Sequence, residues 1–397
     1  MPSMVVVERD YPNLYRKFTS LGPLLDKLGN WGKGLVWDTQ DEVKFLGDLN
    51  HRVTEDGISQ GRPRIETAID AAEVILHLAP ETNGHVAVKA WEALGGFTGR
   101  SHTHLAGEWM VGVRYMYTDM TQNYVGSHKV SPSEVLEEYP MVHTRMTMQM
   151  EMVELMYAPL DDLNFMAMVP FEQMTMDHLM DDGETFTAKS GGIGDLNLMA
   201  LINVFGNPRE RGNRLVVNAG LTVPTGSINQ TSTRTGVPRR LEYWMQLGSG
   251  TVNLEPGLAY LGESENWAWG VHGLGVLPVG YNENDYRLGS QYFVDAWAEY
   301  KVSSWFGPSA RLNWRQWFNV HGADPDLNPA LNPAFNAQMQ SGERLDAVFG
   351  LNFYVPHGLL KGNRFSIEGG LPMYQSIDGP NLGIDWFITA GWSYTFH

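Results

Sequence analysis

From Leu105 to the last residue the chain keeps a two-residue period, and that periodicity constrains its fold more than any other feature. In Trp109-Val111-Val113-Tyr115-Tyr117 one parity is aromatic or β-branched, while Met110-Gly112-Arg114-Met116 on the other is mixed. A strand lying between lipid and a polar lumen reads this way, with the odd parity outward. Similar runs follow near 144–157, 163–174, 194–205, 214–223, 250–261, 267–277, 290–302, 308–317, 342–355, 364–374 and 385–396, twelve in all. The links between them alternate in length. Short ones run from Ala158 to Asp162, Asn207 to Asn213, Gly262 to Asn266, Ser303 to Gly307 and Pro356 to Asn363. Long ones, rich in Gly, Pro, Asp and Asn, fall near 118–143, 175–193, 224–249, 278–289, 318–341 and 375–384. Short turns at one end and long loops at the other are the pattern of outer-membrane barrels, and an even strand number closes the sheet without a bare edge. The expected fold is mainly β: a 12-stranded antiparallel transmembrane β-barrel over 105–397, preceded by a small, mostly α segment over 1–104.

Composition agrees with strands rather than helices as the membrane-crossing elements. No run of about 18 apolar residues exists, so no transmembrane helix is expected. The 43 glycines, 11% aromatics and only 18% charged residues fit turn-rich β-structure with aromatic belts, since a soluble chain carries about a quarter charged residues. Trp267, Trp269, Trp297, Trp314 and Trp386 near strand ends are expected in those belts. The closing run Ile388, Ala390, Trp392, Tyr394 and Phe396 shares one parity, like the terminal aromatic strand of assembled barrels, with His397 one place beyond. With 45 acidic against 28 basic residues the net charge is -17, which excludes an extended phosphate-binding surface and hence nucleic acid. Outer-membrane lipid and a small solute are the expected partners. The absence of cysteine excludes disulfides, thiol nucleophiles and cysteine-ligated clusters.

From Asp10 to about Gly99 the grammar is helical. Leu14, Phe18, Leu21, Leu24, Leu25 and Leu28 lead to the helix-ending pair Gly29-Asn30, and Asp38-Thr39 caps a run through Val43, Phe45, Leu46 and Leu49. Pro63 opens a third helix through Ile65, Ile69, Ala72, Val74 and Leu78. The amino terminus lacks the basic and apolar regions of a secretory signal, from which a joined product retained in the cytoplasm would follow.

Methionine is the one concentrated reactive residue type, with 15 of 20 between Met110 and Met199. Met148, Met150, Met152, Glu154 and Met156 share a parity in the second strand, and Met166 and Met168 alternate in the third, so these seven are expected to line the lumen. Thioethers are soft ligands that favour Cu(I), and a copper-binding barrel is one reading of the ladder. The other is that unbranched, polarizable Met fills an irregular interior. Met174-Thr175-Met176-Asp177-His178 extends the theme into an external loop, with His128 and His143 near it. Asp324-x-Asp326-x-Asn328 opens like a calcium loop, but Pro325 and Pro329 intrude and Phe335 stands where the bidentate Glu is needed. Gly191-Gly192-Ile193-Gly194 precedes a strand, so it is turn chemistry and not a phosphate cradle. His85 and Lys89, four apart, read as an ordinary helix face.

Two family resemblances coincide with the change of grammar. Val5-Val6-Val7-Glu8-Arg9-Asp10-Tyr11-Pro12, Phe18-Thr19-Ser20-Leu21-Gly22-Pro23-Leu24 and Leu78-Ala79-Pro80-Glu81-Thr82-Asn83-Gly84-His85-Val86 resemble an internal stretch of the catalytic alpha subunit of respiratory nitrate reductase, over about residues 1–107. That parent uses molybdopterin and an iron-sulfur cluster, whose ligands lie in parts this chain does not contain. The resemblance therefore carries over no catalytic residue and implies no cofactor for the chain alone. From about His102 onward, His104-Leu105-Ala106-Gly107-Glu108-Trp109-Met110, Pro224-Thr225-Gly226-Ser227, Gln246-Leu247-Gly248-Ser249-Gly250-Thr251, Pro256-Gly257-Leu258 and His321-Gly322-Ala323-Asp324-Pro325-Asp326 resemble a Gram-negative family of porin-like outer-membrane barrels described as transporters, akin to proteins assigned to meta-pathway phenol degradation. The two motif sets overlap on the same few residues, which reads as a fusion, made in the genome or in assembly of the sequence. Expected, then, is an outer-membrane barrel passing a small solute, joined to a catalytically incomplete nitrate reductase fragment.

Overall fold

The computed structural model describes residues 103–232, 239–358 and 360–396. The helical segment expected ahead of the barrel, with His85 and Lys89, lies outside the described residues. Twelve long strands pair in sequence order, each antiparallel to the next. They are β1 (Trp109–Met120), β2 (Met141–Leu160), β3 (Leu163–Met180), β4 (Leu196–Phe205), β5 (Asn213–Val223), β6 (Val252–Glu263), β7 (Trp267–Val279), β8 (Gln291–Tyr300), β9 (Phe306–Trp317), β10 (Gly342–Tyr354), β11 (Asn363–Gly383) and β12 (Trp386–Phe396). β12 returns to β1, from Trp109 opposite Phe396 to Asp119 opposite Trp386, and the sheet closes. Every strand backbone then has partners on both sides, as a lipid-embedded sheet requires.

The distribution of side chains is that of a protein turned inside out. Val113, Val153, Leu155, Phe165, Leu198, Leu258, Val271, Leu312, Phe349 and Ile367 are exposed on the outward parity. Glu154, Asn164, Asn218, His272, Asp295, Glu299, Arg311, Asp346, Asn352 and Glu368 are buried on the inward parity. A soluble β-sandwich would bury the first set and solvate the second. Several of the inward charges are paired: Arg311 donates to Glu368 at 2.7 Å and lies 3.5 Å from Asp295, while Arg114 approaches Glu154 at 3.6 Å. At the short-turn end the His104 to Met110 motif ties the chain to the barrel floor. The His104 N–H donates to Asn164 Oδ1 at 2.6 Å, and Gly107, at φ +88°, donates to the Ala158 carbonyl at 2.7 Å.

Three expectations need correction. Trp267 and Trp386 are exposed near strand starts and Trp269 and Trp314 are half-buried on the outward parity, but Trp297 is buried against Met110, Met156 and Leu261, because its parity in β8 points inward. The link expected over 175–193 is largely strand: β3 runs on to Met180 and pairs with Thr185–Ile193, so Gly191, Gly192 and Ile193 sit on that ladder. The link expected over 375–384 is extended too. Its pairing passes from β10 to Gln122–Gly126 across a register shift between Ile377 and Asn381, with Gly379 at φ +84°. Both corrections have one cause: a hairpin rising beyond the membrane loses the lipid-facing alternation that marks a strand in sequence, while keeping its ladder. Among the described residues the short helices lie in long links, one of them α1 (Pro132–Leu136), closed by a Ser131–Glu134 capping box.

A charge on the outward face tests this architecture. Val153→Arg, near the middle of β2, is expected to cost about 2–4 kcal/mol of folding free energy in lipid or micelles, whereas Met150→Arg, on the opposite parity, costs less. Denaturant titration of the refolded chain, followed by heat-modifiable gel migration, measures both.

Candidate functional site

The long links fold onto one another and into the barrel mouth. Segment 239–251 is mostly buried, at Leu241, Glu242, Tyr243, Met245, Gln246, Leu247, Ser249 and Thr251. Leu241, Met245 and Leu247 pack on Met120 of β1, Met146 of β2, and Met174 and Met176 of β3. Above them Tyr243 meets Tyr286, Val320, Leu327 and Ala337, so three links share a second apolar cluster.

Two family motifs form the clasp that seats this segment. Asp195, in the two-residue link between Ile193 and β4, accepts from the Gly226 N–H at 2.9 Å, the Ser249 N–H at 2.8 Å and the Ser249 hydroxyl at 2.7 Å. The two ends of the link are thereby drawn to one carboxylate. A side chain on Gly226 would stand 2.5 Å from the Leu247 carbonyl, and one on Gly248 would stand 2.5 Å from the Gly226 carbonyl. Glycine is required because two backbones meet there. The Asp324 and Asp326 carboxylates, set like the start of a calcium loop, are engaged by Arg240, at 3.4 Å and 3.0 Å, and Asp324 also receives the Asp326 N–H at 2.9 Å. They join the link after β9 to the one after β5.

Below the clasp lies a polar cluster. His143 of β2 and His178 of β3 are cross-strand partners with rings 4.9 Å apart and edge to face. Each Nε2 lies 3.0 Å from the same oxygen, Oε1 of Glu242, and all three residues are nearly inaccessible, at 3%, 2% and 2%. Asn332 Nδ2 is 2.8 Å from the same nitrogen of His143. Burial by itself would raise the Glu242 carboxyl, but the hydrogen bonds and charges of His143 and His178 outweigh it and hold it well below the usual carboxylate range. Two cavities flank the cluster. One of about 170 Å³ is lined by His143, Glu242, Met146, Met148, Met176 and Trp244, the other of about 270 Å³ by His178, Glu242, Met141, Met180 and Phe186.

Of the residues read from sequence as lumen-lining, Met152, Glu154, Met156 and Met166 are buried and Met148, Met150 and Met168 half-buried. All lie on the β2–β3 ladder, with Met156 opposite Met166 and Glu154 opposite Met168; Met156 and Met166 pack in a lower cluster with Met110 and Met199, and Met148 in the upper one beneath the inserted segment. His178 was visible in the methionine-rich run and His143 was placed near it, whereas His128, also placed there, is exposed. Glu242 carried no signal, because its partners are 64 and 99 residues away in sequence.

A family model described as "Putative MetA-pathway of phenol degradation" matches residues 114–368, more than half of the chain. The chain belongs to this family. Among solved structures, the COG4313 outer membrane channel from Pseudomonas putida F1 aligns over 76% of this chain and 100% of its own, with a TM-score of 0.56 and 16% identity, a likeness of fold. A second model, "Nitrate reductase alpha chain, domain V", matches residues 28–128. The Respiratory nitrate reductase 2 alpha chain of Escherichia coli K12 is 71% identical over 105 residues, and the Nitrate reductase alpha chain of Bacillus subtilis 168 is 42% identical over 108. The chain spans only 8% and 9% of those two relatives. The domain V match overlaps the phenol-degradation family match at 114–128, residues that the structure builds into β1 and the link beyond it.

The clasp predicts a mobile-loop phenotype. Asp195→Ala removes three charge-assisted hydrogen bonds and Gly248→Ala forces two backbones apart, so each is expected to unseat segment 239–251 by about 2–4 kcal/mol. Limited proteolysis of the refolded chain should cut that segment at least tenfold faster in either variant while the barrel stays heat-modifiable.

Proposed function

We propose that this family member is a non-enzymatic channel in the outer membrane of a Gram-negative cell, with short turns in the periplasm, passing a small solute through a lumen gated by segment 239–251. The supporting observation is a barrel apolar outside with ion pairs inside, whose mouth is filled by a loop held through side-chain contacts, such as Asp195 with Ser249, instead of by continuous strand. A wall serving only as an anchor has no need of inward carboxylate and guanidinium pairs such as Arg311 with Glu368, which cost desolvation. In this reading Met148, Met150, Met152, Glu154, Met156, Met166 and Met168 line the path. Their unbranched side chains give β2 and β3 a surface that can repack as the loop leaves. Residues 1–104 form a separate nitrate reductase alpha-like fragment with no reaction of their own, and the barrel proper spans 105–397.

Two measurements test the proposal. The chain has no native cysteine, so Met150→Cys is expected to react with a charged, lipid-impermeant maleimide in reconstituted vesicles, while Val153→Cys stays at least tenfold slower behind lipid. Planar-bilayer recordings should show small, infrequent openings in the parent and larger, frequent ones in Asp195→Ala. A folded barrel that conducts in neither form, or equal labelling at the two positions, ends the channel reading.

A further inference from the structure

We infer that His143, His178 and Glu242 form a binding site for a divalent first-row transition-metal ion of the Zn²⁺ type, fastening the inserted segment to the barrel wall. The inference stands on ligand geometry and does not depend on conduction. Two imidazole nitrogens and a carboxylate oxygen converge so that all three ligand atoms lie within 4.8 Å of one another. Each nitrogen is 3.0 Å from Glu242 Oε1. Ligands at the Zn–N and Zn–O distances of a tetrahedral site stand roughly 3.3 Å apart, so each nitrogen need move from Oε1 by only a few tenths of an ångström to share an ion with it.

The hydrogen-bond roles in the cluster conflict without a cation. If His143 Nε2 carries a proton, it donates to Glu242 but has no lone pair left to accept from the Asn332 Nδ2 donor 2.8 Å away. If it is bare, it accepts from Asn332 but faces a carboxylate oxygen, lone pair to lone pair. Turning the amide over is no remedy, because Asn332 Oδ1 already accepts from the Ala334 N–H at 3.0 Å. Glu242 Oε2 and His178 Nδ1 are buried without a hydrogen-bond partner, although buried polar atoms ordinarily have one. A cation accepted by two bare imidazoles and by the carboxylate removes the conflict and gives Oε2 a counter-charge. Its entry displaces the Asn332 amide from the His143 nitrogen. The donor set selects the ion: imidazole with carboxylate suits zinc and its neighbours, whereas calcium and magnesium require mostly oxygen. The cavities on either side, reached by His143 and Glu242 on one face and His178 and Glu242 on the other, provide an approach and room for water in the remaining coordination position.

A β-bulge assembles the pair. The ladder between β2 and β3 shifts register between His143 and Arg145, so that His143, of the parity that faces outward lower in β2, turns inward opposite His178. The test uses the full chain, refolded without an affinity tag, stripped with EDTA and titrated with ZnCl₂ by calorimetry and with CoCl₂ by absorbance. One Zn²⁺ per chain and visible d–d bands of a four- or five-coordinate Co²⁺ site are expected. Glu242→Gln, a loop change that leaves the wall intact, and His178→Gln should each weaken Zn²⁺ at least about a hundredfold, beyond the range of outer-shell changes, and abolish the bands. A parent that gives no such bands, or that binds Zn²⁺ no more tightly than Glu242→Gln does, overturns the site.

Discussion

The constraint on which the rest depends is that a backbone amide in hydrocarbon has no water to bond. Every strand crossing lipid must therefore be paired on both flanks, and the seam between Trp109–Asp119 and Trp386–Phe396 is where that condition is met for the whole sheet. Closure fixes the sidedness of every residue, because side chains alternate between an exterior that must be greasy and an interior that need not be. Val113 and Val153, opposite each other on neighbouring strands, and Glu154 opposite Gly112 are consequences of one ladder. Pairing also explains how Arg311 can sit between Asp295 and Glu368: the charges compensate one another locally, which offsets part of their desolvation, in an interior that lipid never reaches.

Closed sheets leave only their ends for variation, and among the described residues the long links elaborate one end. The short-turn end is sealed by backbone contacts close to the turns, such as Gly107 to Ala158. At the other end, parts far apart in sequence converge on single charged side chains. Asp195 gathers Gly226 and Ser249, and Arg240 gathers Asp324 and Asp326. Motifs that looked unrelated along the chain, Pro224 to Ser227, Gln246 to Thr251 and His321 to Asp326, are thus parts of one assembly. The domain V match entering β1 has a similar physical reading: Trp109 to Met120 alternates as a strand must, and the closed ladder takes it whatever sequence lies ahead.

What could be read beforehand followed the range of the interactions responsible. The twelve strands were legible because alternation is local and membrane burial enforces it on every turn of the chain, and Met152, Met156 and Met166 on the buried side follow from the same count. Trp297 stands near a strand end, but its inward parity in β8 decides its burial. The hairpin extensions near 175–193 and 375–384 escaped because strands above the membrane are not obliged to alternate. His143 changes sides at a bulge that adds one residue, and no composition signal marks it. Glu242 was invisible because its role is created by contacts across 64 and 99 residues.

Methionine enrichment follows from combining these constraints. Where β1, β2 and β3 receive the inserted segment, the wall must be apolar enough to pack Leu241, Met245 and Leu247, yet it cannot be shaped for them alone, since the same wall continues down a charged lumen. Leucine or isoleucine would fix a rigid relief suited to one occupant. Unbranched side chains with a polarizable sulfur keep contact as the partner shifts, losing little when it withdraws. Met120, Met146, Met174 and Met176 are placed where the inserted segment meets the wall, and in the proposed channel they would repack as it leaves. Met110, Met156, Met166 and Met199 lie lower, packed against Ala259, Leu261 and Trp297. There the same flexibility fills the irregular space left when large and small residues alternate across strands, as beside Gly220, where the Met199 methyl occupies the place a side chain would take.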